Sequence, residues 1–416
     1  MGINWKRNAA LFLTGQALSF FGTMVVQYAI LWHITLKSQS GTMMTLFTVA
    51  GFLPMFFISP FAGVWADRFN RKYIINIADG VTAFFSLVMA ILLLLGIDSY
   101  VILLVCAAIR AAGQGAQTPA VGAFIPQIVP EEYLTKINGF QSSIRSFVTL
   151  ATPMLSGALM TFAPLEILFF LDVITAIIGI SIVFFLVKIP SAESKKIEIT
   201  KQKSAAYFSD LKEGIKYAGK NGFVLRMLII SAIFPLVFVP ASLLTPLQVT
   251  RNFGAEVWRL SAIEITFSAG MLAGGLLIGM WGGFKNRIYT MTLSGILCGL
   301  LFAGLGLCGN FPVYLIIMAL VGVAMPLYDT PAMVLLQTTV EPAFLGRVFS
   351  VFTMISSVMM PLGMVVFGPL ADIISIDLLL IVTGLAAALL AIIMSTSKTL
   401  RKAGASVSVT SQENGV

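Results

Sequence analysis

The sequence predicts an all-α membrane protein of twelve transmembrane helices, arranged as two pseudo-symmetric six-helix bundles. Three observations lead there. Apolar runs of about 20 residues recur from end to end, the length an α-helix needs to cross the hydrocarbon core of a bilayer. The chain is 58% hydrophobic and 11% charged, with mean hydropathy +0.96, which leaves too little charge to cover a soluble domain of this size. Short strings in the first half also return in the second half in the same order.

The first six spans are expected near residues 9–33, 43–65, 73–95, 100–124, 137–162 and 167–189. The second six are expected near 224–249, 257–279, 288–308, 313–338, 348–370 and 378–395. This divides the chain into an N-terminal bundle (1–190), a cytoplasmic linker (191–221), a C-terminal bundle (222–397) and a cytoplasmic tail (398–416). In the linker, Phe208, Leu211, Ile215 and Ala218 fall near helical spacing, with Asp210, Lys212, Glu213 and Lys216 between them. An amphipathic helix lying along the membrane surface as a tether is expected.

The formal charge is +8 and the pI about 9.4. Nucleic acid is not the implied partner, because the basic residues flank apolar runs. They collect in the loops that an even number of crossings places with the N-terminus, while the opposite loops hold only Lys37, Arg251 and Arg259. By the positive-inside rule both termini are expected in the cytoplasm, with the chain multi-pass in the membrane. The basic start, with Lys6 and Arg7, leads into a run too long for a signal-peptide core, so a retained first helix is expected. Cys106, Cys298 and Cys308 lie in apolar segments without metal-ligand spacing, so neither a disulfide framework nor a metal site is expected. No Gly-rich lysine loop is present to cradle ATP phosphates. The expectation is a non-enzyme without cofactors.

The internal repeat rests on three matches. Thr118-Pro119-Ala120 returns as Thr330-Pro331-Ala332. The run Val129-Pro130-Glu131-Glu132-Tyr133-Leu134 is echoed by Val340-Glu341-Pro342-Ala343-Phe344-Leu345. Gly63-x-Trp65 with Asn70-Arg71 is echoed by Gly279-x-Trp281 with Asn286-Arg287. Sequence repeats of this kind are how transporter halves reveal themselves. The second copy of the last string carries Gly283 and Phe284 in place of Asp67 and Arg68, so the halves are not equivalent.

The stretch Gly63-Val64-Trp65-Ala66-Asp67-Arg68-Phe69-Asn70-Arg71-Lys72 is polar and basic between two apolar runs. It resembles the loop between the second and third helices of the major facilitator superfamily. Gly15-Gln16-Ala17, Gly51-Phe52-Leu53-Pro54, Val129–Lys136, Gly270–Gly275 and Gly346–Ser350 are similar to bacterial multidrug and macrolide efflux (Mef-type) antiporters. The resemblance implies the major facilitator fold and a gating role for Gly63, Asp67, Arg68, Arg71, Lys72 and Arg347. Asp67 is expected against the helix start near Gly346–Phe349, where N–H groups and the dipole favour an anion. Asn70 stands where the family has glycine, and asparagine tolerates the left-handed backbone. Thr152-Pro153-Met154-Leu155-Ser156-Gly157 is similar to the family's antiporter motif, with Pro153 and Gly157 kept; ordinary small-residue packing is the alternative.

Charges inside spans are costly and mark function. Arg110, in the fourth span, resembles a family arginine associated with proton transfer; a structural arginine bonded to carbonyls is the alternative. Glu264, Asp172 and Asp79 are proton-coupling candidates with it, because a buried carboxyl can be tuned to exchange a proton near neutral pH. Asp329 is a further buried acid; it and Asp79 lie closer to the inner face, and a helix-end or gate role is the alternative for both. Glu264 leads, since it lies well inside its span with no counter-ion nearby in sequence. His33, the only histidine, reads as interfacial, with a proton role as the alternative. Gln16, Gln27, Tyr28, Gln114 and Gln117 are candidates to line a central cavity. The implied function is proton-coupled efflux of lipophilic, macrolide-like antibiotics by alternating access. Tetracycline-type drugs, an endogenous metabolite, an uptake symporter and a membrane sensor are the alternatives. Expected partners are an amphiphilic drug, protons and the lipid bilayer, with the chain a monomer.

Overall fold

The computed structural model describes residues 4–188 and 213–413. Its long helices are α1 (Trp5–Ser38), α2 (Gly41–Arg68), α3 (Arg71–Leu94), α4 (Tyr100–Ile128), α5 (Leu134–Phe162) and α6 (Leu165–Ser181). After the linker come α7 (Gly222–Leu243), α8 (Thr245–Asn252), α9 (Val257–Trp281), α10 (Arg287–Leu307), α11 (Phe311–Thr339), α12 (Pro342–Ile373), α13 (Ile376–Thr396) and α14 (Lys398–Glu413). Eleven spans are long and apolar enough to cross a membrane, with α7 and α8 counted as one. The 29-residue α5 has the length, but Lys136, Gln141 and Arg145 make it more polar. Counting it gives the twelve expected crossings. The expected amphipathic stretch lies partly outside the described residues; of its apolar positions, Ile215 is exposed and Ala218 is buried against α7.

Helix starts follow from asparagine and serine caps, which satisfy the first unpaired N–H groups. Asn70 accepts from the Lys72 N–H at 3.0 Å, and its repeat counterpart Asn286 accepts from the Ile288 N–H at 3.1 Å. Asn221, Asn310 and Ser375 cap α7, α11 and α13 in the same way. Asn70 has φ −65°, so it is no substitute for a left-handed glycine; its side-chain oxygen starts the helix. The continuous span expected over 224–249 breaks at Leu244, because Pro246 has no N–H to give the preceding turn.

The helices gather into two compact units. One takes α1, α2 from Leu46 onward, α3 to α6 and residues 256–261; the other takes residues 39–45, the rest of α9, and α7, α8 and α10 to α14. In the first unit α1 and α6 meet through Gly15 and Gly179, where a Cβ on either would press on the other's carbonyl oxygen. In the second, α10 and α13 meet in the same way through Gly299 and Gly384. Close backbone approach at small residues is how helices gain dispersion contacts where lipid removes the hydrophobic drive.

Candidate functional site

The first unit holds a partly open cleft with a cavity volume of about 70 Å³. Gln16, Ser19, Phe20 and Thr23 line it from α1, Met55 from α2, Gln114 and Gln117 from α4, and Gln141 and Arg145 from α5. The α1 residues fall at i, i+3, i+4 and i+7, so one helical face supplies a polar and aromatic wall. The Arg145 guanidinium lies 4.7 Å from the Phe20 ring centroid, a stacking that holds the cation in the wall.

Asp79 of α3 is buried behind this wall. Its carboxylate accepts from the Ser19 hydroxyl at 2.9 Å and from the Gln117 amide at 2.6 Å. That amide also reaches Gln16 Oε1 at 3.3 Å. All three partners line the cleft, and all are neutral. Asp79 therefore has no cationic partner among the described residues, and it is hydrogen-bonded to residues of the cleft wall.

Asp172 of α6 is different. It forms an ion pair with Arg110, and the two side chains are 1% and 2% exposed. Ser86 donates to Asp172 at 2.7 Å and also bonds Arg110, which donates to the Thr23 carbonyl at 3.2 Å. Thr23 Oγ1 lies 3.5 Å from Asp172. Arg110 binds one carbonyl and one carboxylate, and the pair joins α1, α3, α4 and α6 at one point. A fully satisfied buried pair holds four helices in register.

Of the cavity candidates, Gln16, Gln114 and Gln117 line the cleft, while Gln27 and Tyr28 do not. Gln27 lies beside Gly51, and Tyr28 packs against Trp32 at 5.7 Å between ring centroids. Glu264 is half-buried in α9 and has no hydrogen-bond partner among the described residues. Ser19, Thr23 and Arg145 line the cleft and are not among the sequence candidates. The α1 stripe is readable as helical spacing, whereas Arg145 offers no local signal beyond its charge.

In the loop after α2, Asp67 pairs with Arg71 at 3.7 Å. Arg71 donates to the Ala66 carbonyl at 2.8 Å and to the Ala123 carbonyl at 3.1 Å. Lys72 donates to the Phe184 and Val187 carbonyls, each at 2.8 Å. These two basic residues tie α2, α3, α4 and the segment that follows α6 together. Arg68 is exposed, and a Cβ at Gly63 would meet open space, so neither makes a specific contact here. Arg347 pairs with Glu213 at 3.0 Å.

In the antiporter-like string of α5, Ser156 donates to the Val25 carbonyl at 3.3 Å, and Gly157 leaves room for Ser261 and Trp32. Pro153 is buried within the helix. His33 bonds Asp98 at 3.1 Å, and Lys37 reaches the same carboxylate at 2.5 Å, which makes His33 part of an interfacial cluster. Burial pushes the Asp98 carboxyl up, but the Lys37 hydrogen bond and the His33 interaction outweigh it and hold it below its usual range.

A polar cleft among membrane-spanning helices, beside one buried ion pair and one buried carboxylate met by neutral donors, suits a multi-pass membrane transporter. The chain belongs to the Major Facilitator Superfamily, whose profile matches residues 12–364. It is 30% identical over 402 residues to macrolide efflux protein A of Streptococcus pyogenes, covering 96% of this chain and 98% of that protein. It is 31% identical to macrolide efflux protein A of Enterococcus faecalis, covering 78% of this chain and 100% of that one. The multidrug efflux pump Tap of Mycolicibacterium fortuitum is 23% identical over 89% of this chain and 90% of its own length. In fold the chain is similar to the nucleoside transporter NupG, with TM-score 0.67 at 15% identity, covering 95% of this chain and 99% of that one. A bacterial homolog of the human lysosomal transporter Spinster gives TM-score 0.66 at 14% identity, covering 97% and 98%.

Proposed function

We propose that this transporter exports amphiphilic, macrolide-like antibiotics from the cytoplasm in exchange for protons. The observation that carries the reading is Asp79, a buried carboxylate with neutral partners only, hydrogen-bonded to the residues that line the cleft. Proton uptake removes its charge and frees Ser19 and Gln117 to bond elsewhere, so proton and solute compete through one small network. A competition of this kind gives proton and drug the differential affinity for two states that exchange requires.

The cleft wall suits the substrate class. Gln16, Gln114, Gln117, Gln141 and Arg145 offer donors, and Leu13, Phe20, Met55, Val121 and Ile144 offer apolar and soft surface. A large amphiphile rich in hydroxyl and carbonyl oxygens matches that mixture better than a sugar or a fully apolar solute. Two relatives named for macrolide efflux support the same class. In this reading both termini face the cytoplasm of a bacterial cell, and transport proceeds by alternating access. Asp67, Arg68, Arg71, Lys72 and Arg347 serve the cytoplasmic gate.

The test is antibiotic accumulation in cells with and without the protein, before and after a protonophore. Lower macrolide accumulation that the protonophore abolishes is the expected result. Raised accumulation would overturn export, and export that survives the protonophore would overturn proton coupling.

A further inference from the structure

The inward face of α3 carries a buried polar stripe of Asn76, Asp79, Thr82 and Ser86. Asn76 stands one helical turn before Asp79, at i and i+3, so the two side chains are neighbours on one face. Three of the four have partners. Thr82 donates to the Ala78 carbonyl at 3.0 Å, and Ser86 donates to Asp172 at 2.7 Å. Asp79 accepts from Ser19 and Gln117. Asn76 is the exception.

Asn76 is 8% exposed. Its Oδ1 and its Nδ2 are both shut off from solvent without a hydrogen-bond partner among the described residues. The same holds for Gln16 Nε2 on α1, whose own oxygen accepts from the Gln117 amide that also reaches Asp79. The orphaned groups thus flank one carboxylate network, Asn76 from the helix of Asp79 and Gln16 from the cleft wall. A buried amide with nothing to bond is costly, and buried polar groups are satisfied by protein or by ordered water.

The chemistry of the orphaned atoms selects the ligand. Two of the three are N–H donors, which repel a metal cation, and the third is an acceptor. Water suits the set: its oxygen accepts from the two amides, and its hydrogens go to Asn76 Oδ1 and to the Asp79 carboxylate. The charged side chains on and around this stripe are committed elsewhere. Arg110 and Asp172 hold each other. Arg71 binds the Ala66 and Ala123 carbonyls, and Lys72 the Phe184 and Val187 carbonyls.

We propose that Asn76 positions a bound water through which Asp79 takes up and releases its proton. On release the carboxyl O–H bond breaks, the proton joins the water oxygen, and the water passes one of its own protons on to solvent; uptake is the reverse. Ser19 and Gln117 hold the carboxylate from the cleft side, which a bound solute covers. Asn76 does not line the cleft, so its water serves Asp79 with the cleft empty or filled. The inference deepens the proton-exchange reading of Asp79 and rests on it.

The test is an infrared pH jump on the full-length protein in lipid nanodiscs, where the Asp79 carboxyl band is the one that Asp79→Asn removes. Asn76→Leu is expected to slow the rise and decay of that band roughly tenfold. It is also expected to abolish a bound-water band that shifts in heavy-oxygen water, with melting close to the parent's. Asn76→Ser, whose hydroxyl keeps a hold on the water, is expected to restore the parent rate. If Asn76→Leu does not fold, Asn76→Val carries the test. An unchanged rate in a variant that melts like the parent would overturn the relay and leave Asn76 an unpaired core amide. A parent protein with no band that Asp79→Asn removes would overturn the proton-exchange reading itself, so the two failures are told apart.

Discussion

Two carboxylates are buried in the same helical unit, and their partners differ. Asp172 faces Arg110 and carries its charge in a pair with almost no exposure. Asp79 faces Ser19 and Gln117, which bring no charge. The difference separates structure from chemistry. The paired carboxylate ties four helices together. In the proposed function, the carboxylate met only by neutral donors exchanges the proton, which strands no cation, and its partners pass the change to the cleft.

The largest expected effect tests the structural half of this contrast. Asp172→Asn strands the Arg110 guanidinium away from water, which costs about 3–5 kcal/mol. Thermal melting of the purified protein should fall sharply or the folded yield should collapse. The double variant Asp172→Leu with Arg110→Met should recover most of the loss. A single variant that melts like wild type would mean that the pair does not hold the helices.

A smaller effect is expected one step out from Asp79. Gln117→Leu removes the 2.6 Å donor to Asp79 and one polar group of the cleft wall. Removing a hydrogen bond to a charged group costs about 1.5–3 kcal/mol. Export should fall roughly tenfold and its pH dependence should move, while melting changes little. A change in export with no change in its pH profile would make Gln117 a contact for drug alone. The smallest effect belongs to Glu264→Gln. Glu264 has no hydrogen bond to the cleft, so proton-driven export should stay within about twofold of wild type, the scale expected away from a named interaction. Loss of proton coupling in this variant would return Glu264 to the place that sequence reasoning gave it.

The spans were legible because each must satisfy its backbone internally in lipid and so announces itself as a long apolar run. The boundaries were less so. The break at Leu244 depends on Pro246, which sits inside a run that reads as one crossing. Asn70 and Asn286 were visible as a repeated pair, but their capping role needs the backbone angle. The polar stripe of Gln16, Ser19 and Thr23 was present in the spacing of α1 and was read only in part. The pairing of Asp172 with Arg110 was not legible, since nothing local relates residues 62 positions apart.

The central claim is that Asp79 carries the proton that drives export. The direct test is transport in proteoliposomes, with a pH indicator inside and a macrolide on the transported side. Wild type should move protons when drug is added, and should exchange labelled for unlabelled drug without a gradient. Asp79→Asn should still exchange drug but move no protons. Proton movement that persists with drug in Asp79→Asn would contradict the account.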